Sequence, residues 1–271
     1  QWKGAGYGLD LQISGSSAYL IAVFGRFTNS GWTYTFGESA IVKIPLAGTG
    51  TAEMDLAGNN VTGVVVNGDY AYVTSVGGAQ QANGNPASKL EVFDISGTAP
   101  SFLAEIDVSA IPNSFGGDFV DVAFVNNKAY VLAAHYNTAY SQYSYIVIQT
   151  TEADLQAGGF GTGAKYKTAT VSPASPCFAL LPGEGNDLYL VDGVKFQSID
   201  TSLDIDAAGA LSTVKSAGDF ANGTATGYVI NTAAMVIERT AATRGLAAAK
   251  ASVTKIAKRL ARPEDLERKE K

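Results

Sequence analysis

Along most of the chain apolar and polar residues alternate in short runs broken by Gly, Asn, Asp and Pro. This pattern predicts antiparallel strands joined by tight turns. One unit recurs: an apolar strand, a polar turn, then a second strand carrying tyrosine near its start. It reads Leu9–Ile13, Ser14–Ser17, Ala18–Ile21, and returns as Thr62–Val66, Asn67–Asp69, Tyr70–Val73. The third copy is Val120–Val125, Asn126-Asn127, Lys128–Val131, and the fourth is Phe178–Leu181, Pro182–Asp187, Leu188–Val191. Tyr19, Tyr72, Tyr130 and Tyr189 mark the four copies.

Each copy is followed by a third alternating strand, at Ala40–Ile44, Leu90–Ile95, Tyr145–Ile148 and Val194–Ile199. A weaker fourth follows, at Thr51–Leu56, Phe102–Val108, Lys165–Val171 and Leu211–Ser216. Four short strands repeated at a near-constant period predict the blades of a β-propeller, because one such sheet cannot cover both of its faces alone. A β-sandwich is the competing architecture, but sandwich strands do not recur in groups of four. Ala225–Ile230 and Ala234–Glu238 read as two strands of a partial fifth blade. The strands missing from that blade would come from Gln1–Gly8 or from another chain, since uncovered edges invite association.

The words "GVVVNGDYAYV", "LEVFDIS" and "APSFLAEIDV", at Gly63–Ser75, Lys89–Ser96 and Pro100–Val108, resemble the LVIVD-type β-propeller repeat family. "VDVAFVNNKAYVL" is similar, and the first and fourth copies are looser. The resemblance covers roughly residues 9–220 and implies a propeller and a secreted or surface-attached bacterial protein. It carries over no catalytic residue, because the motif consists of structural positions.

Charge divides the chain. Residues 1–238 hold 9 Lys+Arg against 21 Asp+Glu, net −12, whereas residues 239–271 hold 10 against 4, net +6. The boundary separates a propeller domain, 1–238, from a basic tail, 239–271. Within the tail Leu246, Ala249, Val253, Ile256 and Leu260 recur at three- and four-residue steps, predicting an amphipathic helix over 240–262. That stripe suits docking on a protein partner, or self-association, ahead of contact with an anionic membrane. A nucleic-acid partner is not expected, since no aromatic residue interleaves with the charges and the body is acidic. No apolar run reaches the ~20 residues of a spanning helix. One cysteine (Cys177) forbids an internal disulfide, and thiol poverty with 13 Tyr suits a secreted, periplasmic or cell-surface protein.

Candidate binding residues gather between the second and third strands of each unit. The first such segment, Phe24–Ser39, holds Arg26, Trp32 and Tyr34; the second, Gly77–Ser88, holds Gln81 and Asn83. The third, Ala134–Ser144, holds His135, Tyr136, Asn137 and Tyr140, and the fourth is only Asp192-Gly193. Rings beside amides suit a flat ligand with hydroxyl edges, such as a sugar or an aryl group, although Trp32–Phe36 also fits an extended hairpin. With a single histidine no metal or cofactor is expected; Asp204-Ile205-Asp206 lacks the glycine and distal glutamate of a calcium loop. The leading expectation is a non-catalytic binding or assembly module. The alternative is a propeller hydrolase or lyase, with or without a metal's assistance, built on Asp10, Asp118 and Asp121, although such aspartates also fix backbone.

Overall fold

The computed structural model describes residues 5–13, 18–30, 33–47, 50–77, 87–112, 117–136, 142–171, 178–183, 185–192 and 195–216. Sixteen strands form four antiparallel four-stranded sheets, each a meander in chain order. The first contains β1 (Ala5–Ile13), β2 (Tyr19–Ser30), β3 (Thr33–Pro45) and β4 (Glu53–Asn59). The second contains β5 (Val61–Asn67), β6 (Tyr70–Ser75), β7 (Lys89–Asp94) and β8 (Ser101–Asp107). In the third are β9 (Asp118–Val125), β10 (Lys128–Tyr136), β11 (Tyr143–Thr150) and β12 (Lys165–Val171). The fourth comprises β13 (Ala179–Pro182), β14 (Asp187–Val191), β15 (Lys195–Asp200) and β16 (Leu211–Ser216). Among the described residues no helix is long and apolar enough to cross a membrane. The partial fifth unit at 225–238 and the helix of 239–271, with Leu246, Val253, Ile256 and Leu260, lie outside the described residues.

Turn chemistry closes the hairpins. Asn126 and Asn127, at φ +55° and +59°, join β9 to β10 as the two-residue turn whose twist matches the strands. Gly68, at φ +56°, does the equivalent between β5 and β6. Each of the first three sheets has one extra residue in its first strand, at Leu9, Thr62 and Val120. These bulges align the sheets residue by residue, and the alignment moves one sequence expectation. Tyr72 and Tyr130 are equivalent, but the position they share in the first sheet is Ile21, and Tyr19 corresponds to Tyr70. More residues separate β1 from β2 than separate β5 from β6 or β9 from β10, which hid the two-residue offset.

Gln1–Gly8 was one candidate source of a closing outer strand. Ala5–Gly8 are instead the start of β1, paired with Phe24–Phe27, so they are already used inside the first sheet. The segment Phe24–Ser39 is likewise a continuation of β2 and β3 rather than a loop, with Ser30 paired to Thr33. α1 (Glu152–Gln156), capped by the Thr151 hydroxyl, follows β11 and ends before the glycine-rich stretch Gly158–Gly163, which runs as turns to β12.

Consecutive sheets pack face to face, producing three cores in series. Ile21, Val23 and Ile41 meet Val64, Ala71, Val73 and Phe93 between the first two sheets. Tyr72, Leu90 and Val92 meet Phe119, Val122 and Val131, together with Leu155 of α1. Tyr130, Leu132 and Val147 meet Leu180, Leu188 and Leu190. The first strands adjoin in the same order, β1 against β5, β5 against β9 and β9 against β13.

Two lysines fasten sheet to sheet by the same device. Asp94 accepts from the Ser96 amide (2.8 Å) and hydroxyl (2.6 Å), and Asp200 accepts likewise from Ser202 (3.0 and 2.6 Å). Each turn points two carbonyls back at the preceding-but-adjacent sheet. Lys43 Nζ donates to Ile95 O and Gly97 O, both at 2.6 Å, and Lys128 Nζ donates to Thr201 O and Leu203 O at 2.8 and 2.9 Å. Lys128 occupies the register position of Tyr19. In the first sheet the ammonium therefore arrives from β3, passing 3.9 Å from the Tyr19 ring centre. Burial lowers the Lys43 ammonium pKa, with Asp94 and Asp69 opposing that shift. Lys43→Met is expected to lower unfolding free energy by about 2 kcal/mol and Lys128→Met by about half as much, because burial strengthens a charge-assisted bond and leaves its acceptors dry when it is lost. Urea titration of both variants measures this; equal effects would refute the assigned role of burial.

Candidate functional site

The candidate residues divide between the hairpin ends and the first strands. Arg26 lies in β2 and Tyr34 in β3, as backbone partners of Gly37 and Asn29. His135 and Tyr136 close β10, opposite Ser144 and Tyr143 of β11. These positions share the end of their sheets that carries the second-to-third-strand connections. Trp32, Gln81, Asn83, Asn137 and Tyr140 lie outside the described residues. At the same end Tyr143 and Tyr145 pack on Phe178, with ring centres 5.8 and 5.9 Å away. The His135 ring is half-buried beside Gly117, whose backbone lies against the Ala134 carbonyl and His135 Cβ.

The first-strand carboxylates have defined work. Asp10 Oδ1 accepts from the Leu11 amide (2.8 Å), and its Oδ2 accepts from the Val64 amide of the next sheet (3.1 Å). Asp121, at the equivalent position, accepts from Val122 (2.8 Å) through Oδ1 and from Leu180 of the next sheet (2.8 Å) through Oδ2. Asp55 repeats the arrangement on the outer strands, with Leu56 at 2.8 Å and Phe102 at 3.1 Å. Gln12 adds a bond from the Val66 amide, 3.1 Å. In the second sheet this position is Gly63, and there the Ser88 hydroxyl accepts from the Phe119 amide (2.8 Å) instead. Buried backbone donors need acceptors, and an ionised carboxylate is a strong one.

Sequence reasoning placed Asp10 and Asp121 but not Asp55, Gln12, Glu91, Lys43 or Lys128. Glu91 is buried and accepts from the Gly58 amide; Gly58 is required there, because a Cβ would stand 2.5 Å from Ser75 Oγ. The spacing of Asp10 from Val64 and of Asp121 from Leu180, 54 and 59 residues, is one residue more than the offset between equivalent positions of those sheets. That coincidence was the one available signal. Asp204 accepts from Gln149 Nε2 at 3.1 Å, and Gln149 Oε1 accepts from the Ile205 amide, so this stretch ties the fourth sheet to β11.

Burial raises several of these acids. Desolvation pushes Asp121 up to about 6 against its two amide bonds, and Asp10 adds a smaller repulsion. Asp118 at the start of β9 is also raised to about 6, by desolvation, and Glu91 is raised by the same cause. An acid with a raised folded pKa stabilises the fold fully below its unfolded pKa and loses that contribution as pH climbs through the folded value. For Asp121 the interval runs from 3.8 to about 6, and its span corresponds to about 3 kcal/mol. Asp94 and Asp200 are lowered by their serine bonds and act oppositely, losing their contribution as pH falls below 3.8. Unfolding temperature is therefore expected to be higher at pH 5 than at pH 7.5, and Asp121→Asn should flatten that slope. Scanning calorimetry decides it; a profile rising toward pH 7.5 would contradict the assignment.

No protein-family model matches the chain, and no curated protein matches it. Nineteen chains of solved structures match. Among them is the phage phi92 endosialidase, 10% identical, with a TM-score of 0.44 over 88% of this chain and 38% of that one.

Proposed function

We propose that the four sheets are blades of a β-propeller serving as a non-catalytic binding or assembly module. Its ligand face is the end bearing Arg26, Trp32, Tyr34, His135 and Tyr136, and its basic tail is for docking. One observation carries this reading. Asp10 and Asp121, the carboxylates best placed for hydrolysis, each give both oxygens to backbone amides of their own and the following sheet. Carboxylates bonded in this way hold one sheet's backbone to the next, which is work a structural module needs. The serial packing of faces and the LVIVD-type repeat words support the propeller. Aromatic rings beside amides favour saccharide or aryl surfaces.

The test is retention on an immobilised oligosaccharide array. Trp32→Ala with Tyr136→Ala is expected to weaken binding about tenfold or more, at about 1 kcal/mol per stacking ring, with an unchanged unfolding temperature. A large loss of stability would make those rings packing residues; unaltered binding would remove them from the ligand face. Asp118 supports the second reading, a hydrolase, since its raised carboxyl at the loop-bearing end could hold a proton near neutral pH. Sugar release abolished by Asp118→Asn would establish that reading instead.

A further inference from the structure

The first sheet presents a face that its three counterparts bury. The bulge alignment and the carboxylate bonds make Leu11, Val64, Val122 and Leu180 equivalent positions. Val64, Val122 and Leu180 are 1%, 2% and 3% exposed, each covered by the preceding sheet. Leu11 is 62% exposed, and its neighbour Ile13 is 59% exposed. Leu20, Ala22 and Ile44 share that face by register, and Met54 and Leu56, both exposed, extend it across β4. In every other sheet the cover has one form: the opposite face of a further sheet, carrying residues such as Ile21, Val23 and Ile41.

We infer that this face is a docking surface for residues 225–238 of the same chain, which pair as strands and lie across Leu11 and Ile13. Fifty-five residues follow β16, and Ala225–Ile230 and Ala234–Glu238 are their strand-like stretches, ending in the apolar runs Tyr228-Val229-Ile230 and Ala234–Ile237. In the three earlier steps the chain leaves an outer strand and begins the first strand of the next sheet. Repeated after β16, that step would place the first strand of a further sheet beside the far face of the fourth, where Tyr189 and Phe196 stack at 5.0 Å. A sheet there has its other face free for Leu11. The inference rests on the propeller reading, in which the first and last sheets approach each other.

Cysteine crosslinking of the full chain tests it. In a Cys177→Ser background Ile13→Cys is combined with single cysteines through 225–230 and 234–238, and separately with Val191→Cys and Val214→Cys. Disulfides form only where Cβ atoms approach within about 4.5 Å. The expected result is an intramolecular disulfide at alternate positions of 225–230 or 234–238, read as a monomer with no free thiol. A bond to position 191 or 214 would overturn the inference while leaving the propeller intact, since the fourth sheet would then cover the first directly. A disulfide-linked dimer would assign the face to a second copy and also overturn it. Absence of every intramolecular disulfide would refute both the inference and the ring closure it assumes, while oligosaccharide retention remains a separate measurement.

Discussion

Replacing Tyr72 by alanine should cost about 3–5 kcal/mol, the scale of deleting a fully buried aromatic ring. Tyr72 is wholly buried between the second and third sheets, and its ring centre lies 4.5 Å from that of Phe124. Its hydroxyl donates to Glu152 Oε1 at 2.7 Å and accepts from Gln156 Nε2 at 3.4 Å, so one side chain joins β6, β9 and α1. Burial and the Glu152 bond raise its phenol pKa well beyond the usual range, so the group stays a neutral donor. Tyr72→Phe separates the two contributions. It keeps the ring and leaves Glu152 without its donor, so about 1–2 kcal/mol should be lost. Tyr130, the register equivalent one sheet later, supplies the contrast. Its hydroxyl is buried with no hydrogen-bond partner among the described residues, and desolvation raises its pKa to about 12. Tyr130→Phe should therefore be neutral or stabilising by up to about 1 kcal/mol. Guanidinium unfolding of the three variants decides the matter; equal losses for the two phenylalanine variants would mean the hydroxyl bonds contribute nothing.

The same pair of tyrosines shows how far the sequence could be read. Their shared environment, second strand of a four-strand unit, follows from alternation and turn residues alone, because a buried sheet face imposes period two. All four units and their strand order were legible for that reason. Tyr19 was not placed correctly, since a longer connection shifts register by two without disturbing alternation. The Phe24–Ser39 segment was legible in part: alternation at Trp32–Phe36 fitted an extended hairpin as well as a loop, and β2 and β3 do pair through it, from Arg26 with Gly37 to Ser30 with Thr33. Within the candidate site, aspartates at first-strand positions could be found, but their partners could not. Asp10 to Val64 and Asp121 to Leu180 are contacts between sheets, and only the packing of one blade-like unit on the next brings those groups together. Lys43 and Lys128 illustrate the limit more sharply. They make the same bonds from different strands, so no position in the repeat marks them.

Gly117→Ala is expected to be the most damaging single-methyl change, about 3–5 kcal/mol, combining strain and overlap. At φ +116° its backbone lies where side-chain-bearing residues are disfavoured, and a Cβ would stand 2.6 Å from the Ala134 carbonyl and 2.6 Å from His135 Cβ. Neither neighbour can retreat easily, because Ala134 is bonded into β10 between β9 and β11. Two other glycines grade the effect. Gly158, at φ +81°, would place its Cβ 3.3 Å from the Glu105 carbonyl, a tight but accommodable contact. Gly68, at φ +56°, has open space around it, so Gly68→Ala measures backbone strain alone, about 1 kcal/mol. Losses in the order Gly117, Gly158, Gly68 in thermal unfolding would confirm that overlap at the start of β9 adds to strain. If Gly117→Ala costs no more than Gly68→Ala, the close approach of β9 to the His135 backbone is not a constraint on the fold. For the proposed ligand face the consequence is direct. The Gly117 contact fixes where Asp118 and His135 enter that end of the third sheet, so the variant should weaken oligosaccharide retention as well as stability. Gly158→Ala, placed on the α1 side between the second and third sheets, should lower stability while leaving retention unchanged.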